Sequence, residues 1–253
     1  MLKAVRSENL KYKRSFARKL ALSAPLFFVL FAAVSRLYLP AESGLESNLM
    51  LAMIFNWWPV IFIPVGTAVL CALAELRERK AGQYRLLRSH DAAPSILWYG
   101  KIGAIGFHTL LSSIILIAAA IVACLIASRI GMEQIGTVVL SSLLLWLVSL
   151  ALIPLHLFVA FLAGPFATIV LGFAGLLLGV IAAVQPYWIA VPWSWPTRLM
   201  APVIGVHPNG VLLPEGDPLS DPSAVPMGLA AAALFLLATA VLTARGFQRR
   251  EVH

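Results

Sequence analysis

Ile102-Gly-Ala-Ile-Gly-Phe-His-Thr-Leu-Leu-Ser-Ser-Ile-Ile-Leu-Ile-Ala-Ala-Ala-Ile-Val-Ala-Cys-Leu-Ile-Ala-Ser128 contains no Asp, Glu, Lys or Arg. As a helix rising 1.5 Å per residue it would be about 40 Å long, more than the roughly 30 Å of a bilayer's hydrocarbon core. In lipid a helix satisfies its own backbone polar groups, whereas in water this one would expose apolar side chains all round. Five further runs share its character: Leu20 to Leu39, Leu49 to Ala74, Gly136 to Ala163, Phe166 to Val184 and Val225 to Ala244. With 60% hydrophobic and 12% charged residues among 253, the fold expected is an all-α integral membrane protein. One six-helix transmembrane domain over 20–244 leaves no room for a second domain.

The remaining charges orient it. Seven basic residues precede Leu20, six lie from Glu75 to Lys101, and three follow Ala244, leaving only Arg36, Arg129 and Arg198 on the other side. The positive-inside rule then places both termini, the loop 75–101 and the tail 245–253 in the cytoplasm, and the loop 185–224 outside. The net charge of +8 follows from that topology and from anionic lipid, and gives no support to a nucleic-acid partner. Residues 1–19 read as a basic amphipathic helix, with Leu2, Val5, Leu10, Tyr12, Phe16 and Leu20 as its apolar stripe; lipid anchoring would account for it. The first run follows nineteen mostly polar residues without a clean small-x-small cleavage site, so it is expected to stay as a helix. Cys71 and Cys124 fall near opposite faces and read as apolar filler rather than a disulfide.

The spans lack an acid at depth, which disfavours ion-coupled transport. No His-Glu-x-x-His pair, Gly-x-Ser-x-Gly elbow or phosphate-cradling Gly-Lys-Ser/Thr loop is present, so no catalytic or metal residue is expected and any energy from ATP must come through another polypeptide. His108 and His156 are the polar exceptions within the spans. They could face one another between helices three and four, as interhelical hydrogen bonding or as the lining of a path. Gly175-Leu-Leu-Leu-Gly179 permits close helix approach.

Phe55-Asn-Trp-Trp-Pro59, followed by Pro64 and Gly66, suggests an aromatic belt on a proline-bent helix. Glu75-Leu-Arg-Glu-Arg-Lys-Ala-Gly-Gln-Tyr-Arg-Leu-Leu-Arg88 reads as an extension of helix two with a Glu75–Arg79 pair, ended by Gly82, and Pro94 suits the first turn of the next helix. The Pro-rich stretch with Trp188, Trp193 and Trp195 leads to His207-Pro-Asn-Gly210, a turn.

In this order, the basic N-terminal helix, the six spans and the three blocks resemble the permease subunits of lantibiotic-immunity ABC transporters, within the ABC-2 type and nearest the MutE/EpiE group. The resemblance implies a subunit of the bacterial cytoplasmic membrane that binds no cofactor itself. ATP and Mg2+ would be bound by a cytoplasmic ATPase, present in two copies, beside a second six-helix permease. The complex would expel a cationic antimicrobial peptide from the membrane. It also implies a coupling loop over 75–101, with Glu75, Glu78, Arg79, Lys80, Gly82, Tyr84, Leu86 and Leu87 as candidates for ATPase contact. Asn56, Trp57, Trp58, Trp188, Trp193 and Trp195 become candidates for the cargo path. Alternatives are an ABC-2 permease for another amphiphile, such as a bacitracin-like peptide, and an ATPase-independent sensor or scaffold.

Overall fold

Ser15 and Arg14 set the first corner. In the computed structural model, which describes residues 2–36, 46–80, 93–127 and 131–251, helix α1 (Leu2–Tyr12) turns into α2 (Phe16–Arg36). Arg14 takes up positive φ, 65°, and the Ser15 hydroxyl caps α2 by accepting from the Arg18 amide at 3.2 Å. The span thus starts four residues ahead of the expected Leu20.

The second span runs from α3 (Glu46–Trp57) through a wide π-helical stretch, Trp58–Gly66, into α4 (Thr67–Lys80). Pro59 and Pro64 lie in that stretch. Proline offers no N–H, and its ring clashes with the carbonyl four residues back, so the turns there widen rather than break. Helix α5 (Pro94–Ala127) begins, as expected, with Pro94 in its first turn. Trp98 and Lys101 lie on this helix, ahead of the apolar run that starts at Ile102. The fourth span is α6 (Met132–Ser149) and α7 (Leu152–Ala163), interrupted at Leu150–Ala151, where Pro154 would collide with the Leu150 carbonyl in an unbroken helix. Gly164, at φ 97°, turns the chain into α8 (Pro165–Ala183), a conformation only glycine adopts freely.

Residues between α8 and α10 (Ala224–Glu251) do not form an open loop. Two short 3-10 turns, Trp188–Ala190 and Pro192–Ser194, lead into α9 (Trp195–Ile204), which packs against α3, α6, α8 and α10. Among the described residues, six helical stretches are long and apolar enough to cross a membrane: Phe16–Ser35, Leu49–Lys80, Pro94–Ile126, Met132–Ala163, Pro165–Ala183 and Ala224–Arg249.

Two apolar clusters fill the bundle. One contains Phe28, Phe55, Trp58, Trp195 and Leu199; the other lies toward the basic ends of the helices and contains Tyr12, Leu70, Trp98, Ile105 and Phe247. Leu30, Phe173, Leu177, Leu234 and Leu237 are exposed, as outward faces in lipid should be. Lipid tails are as apolar as leucine, so helix association rests on close packing and polar contacts. Gly172, which packs directly on Ala68, Pro64 and Val65, shows the first; the second are concentrated in two places.

Candidate functional site

At the basic end, α1, α4 and α5 are joined by charge. The Lys11 ammonium donates to Glu8 at 2.7 Å and to Glu78 at 2.9 Å, and Glu78 also faces Lys101 of α5 at 4.0 Å. Arg77 lies 3.9 Å from Glu8, donates to the Lys11 carbonyl, and sits 4.5 Å above the Tyr12 ring. Tyr12 in turn stacks on His108 of α5, centroids 4.1 Å apart. Glu8, Glu78 and Lys101 are buried, and buried charges persist only when paired. Burial disfavours the Lys11 ammonium, but its bonds to Glu8 and Glu78 outweigh that and its pKa is raised. Stability from these pairs is therefore present below the unfolded lysine pKa and lost only as pH rises through the folded one.

A second fastening lies one turn away. Arg79 pairs with Glu75 at 3.2 Å and donates to the Ala160 and Phe161 carbonyls at 3.3 and 3.2 Å. Those carbonyls lie in the last turn of α7, where a helix runs out of N–H donors of its own. Of the residues proposed from sequence for ATPase contact, Glu75 and Glu78 thus point into the chain, Arg79 bridges to α7, and Lys80 is exposed. Gly82, Tyr84, Leu86 and Leu87 lie outside the described residues. Lys101 enters the sequence reading only among the basic residues and Glu8 not at all; Glu8 is the single acid before Leu20, three residues ahead of Lys11, and that spacing was the available signal.

At the opposite end two of the three sequence blocks meet. Asn56 donates to the carbonyls of His207 and Pro208 at 3.2 and 3.3 Å, with Gly210 close to its side chain. Trp58 is buried, stacked on Phe62 at 4.0 Å, while Trp57 is partly exposed beside Phe31. Trp188 and Trp195 are buried, and the Trp195 indole donates to the Ile189 carbonyl at 3.0 Å. Trp193 lies on the bare faces of Gly175 and Gly179, and its indole N–H donates to Nε2 of His156 at 3.2 Å. Gly175 is ten residues from the start of α8, about 15 Å along the helix, so Trp193 reaches the middle of the bundle. His108 and His156 therefore have separate partners, Tyr12 and Trp193, and do not form the facing pair entertained from sequence.

Comparison with known proteins settles the family. Residues 4–204 match the model of an ABC-2 family transporter protein. The chain belongs to the ABC-2 transporter family. No curated protein and no solved structure matched it. An ABC-2 permease is the membrane subunit of a transporter, and this one is a multi-pass, all-helical example. Among the described residues no cluster of His, Cys, Asp and Glu could hold a metal.

Proposed function

We propose that this ABC-2 permease, with its termini cytoplasmic, works with a second six-helix permease and two copies of a cytoplasmic ATPase that binds ATP and Mg2+, and expels a lantibiotic-type cationic peptide from the membrane. The observation that carries the mechanical part is the Glu8–Lys11–Glu78–Lys101 cluster. A push on the cytoplasmic loop 81–92 enters α4 and α5 directly. Charge pairs have defined partners and resist sliding, so α1, α4 and α5 move as one body, and Arg79 passes the displacement to the α7–α8 corner. Glu75, Glu78 and Arg79 are then transmitting residues, while Lys80 and the residues beyond it make contact with the ATPase.

The peptide reading rests on the order of the sequence blocks, and its support in the fold is that Asn56 joins two of them. Glu215, Asp217 and Asp221 lie on the side where a cationic peptide would arrive, and Asp221 is exposed with its carboxyl held below the usual range by hydrogen bonds from Ser223, so it stays anionic at neutral pH. The test is survival of a sensitive strain on a panel of lantibiotics. The chain with its ATPase and second permease should raise the tolerated dose, and the chain alone should not. Protection by the chain alone would contradict the proposal.

A further inference from the structure

Two cavities along the α2–α4 seam share Phe16 and form one trough. The first, about 500 Å3, is bounded by Ser15, Arg77 and Lys80 together with apolar neighbours. The second, about 630 Å3, continues between Phe16, Leu20 and the π-helical stretch and is apolar throughout except for Ser23. On the second span the wall is a single helical face: Lys80, Arg77, Leu73, Val69, Gly66 and Phe62 recur every three or four residues. That face runs for about 27 Å, so a lipid chain entering at the basic end has an apolar wall for the full depth of its leaflet.

From this sequence of chemistries we infer that the α2–α4 trough is a binding site for one anionic phospholipid. Its headgroup phosphate meets Arg77 and Lys80, and an acyl chain lies along Val69 and Gly66. Charge complementarity selects this occupant. Lys80 is exposed and the Arg77 side chain partly so. The order of cation, then apolar wall, along the helix axis is the order of a phospholipid's own parts. A second copy of the chain is a poorer fit, because Glu8, Glu75 and Glu78, acids at that end, are buried in pairs of their own. The site is independent of the cargo. It would place a lipid beside the α1–α4 charge cluster, through Arg77, and so make the cluster sensitive to the membrane's anionic content.

The experiment is native mass spectrometry of the full chain, released from mild detergent containing phosphatidylglycerol or phosphatidylcholine. One phosphatidylglycerol should be retained in preference to phosphatidylcholine by roughly thirtyfold, the effect of two basic residues at a membrane surface. Arg77→Gln with Lys80→Gln should abolish the preference. Because Arg77 also holds α1, Val69→Trp serves as a second variant: it fills the trough, leaves both cations in place, and should remove retention of either lipid. Equal retention of both lipids would overturn the inference, as would unchanged retention in Val69→Trp, displacement by inorganic phosphate alone, or a lipid-free dimer in place of the lipid-bound chain.

Discussion

The indole of Trp193 and the imidazole of His156 stack with centroids 6.1 Å apart and share a hydrogen bond of 3.2 Å, fastening the segment between α8 and α10 to the middle of α7. His156 is fully buried; the Trp193 N–H satisfies its Nε2, while its Nδ1 has no partner among the described residues.

Trp193→Phe keeps most of the ring and removes the donor. The expected loss is about 1 kcal/mol of stability, read as earlier unfolding of the purified chain in lipid nanodiscs. Gly175→Leu should cost more, because a side chain there occupies the place of the indole. If both variants unfold like the wild type, the segment is not held by this contact.

Asn56 bridges elements about 150 residues apart. Asn56→Ala removes the side-chain donor to two carbonyls of the His207–Gly210 turn, leaving His207 with the Gly210 amide alone, and limited proteolysis should then cut within 205–217 at least several times faster. Asn56→Asp should do the same or worse, since a carboxylate presents only acceptors to those carbonyls. Wild-type cleavage rates in both would show that the turn stands by itself.

Orientation can be read with a membrane-impermeant thiol reagent on whole cells, using a chain with Cys71 and Cys124 replaced. Ser220→Cys, on a short exposed turn, should be labelled from outside and Ser89→Cys should not. The reverse pattern would invert the topology drawn from the basic residues.

The six spans were legible because long uncharged runs have no other stable use for their apolar faces. Their ends were less so: Pro94 marked the start of α5 by its fit to a first turn, whereas α2 starts at Phe16, since capping by Ser15 extends the helix into residues whose polarity reads as loop. Helix α9 was hidden for a related reason. Its ten residues are too short for a span, and Pro186, Pro192, Pro196 and Pro202 resemble a linker, although Pro196 sits in the helix's first turn, where proline is tolerated. At the site, Asn56, Trp193 and Gly175 were each visible, but their meeting depends on a chain reversal that no local pattern encodes. Lys101 and Arg198 were counted as topology signals; one lies in the buried charge cluster, and the other is buried and donates to the Leu219 carbonyl at 2.7 Å. Charge counting registers sign and position, not partners.

The most direct test removes the charges of the α1–α4–α5 cluster while keeping its bulk, through Glu8→Leu, Lys11→Met, Glu78→Leu and Lys101→Met together. Replacing a buried ionic group by apolar side chains of similar volume is often neutral or stabilising, so the variant should insert, resist heat like the wild type and retain its ATPase. If the pairs carry motion from the cytoplasmic loop into the bundle, peptide-stimulated ATP hydrolysis in proteoliposomes should fall at least about tenfold, a loss of about 1.4 kcal/mol in coupling. Wild-type stimulation in a folded, ATPase-bound quadruple variant would contradict that role and reduce the cluster to a structural fastening.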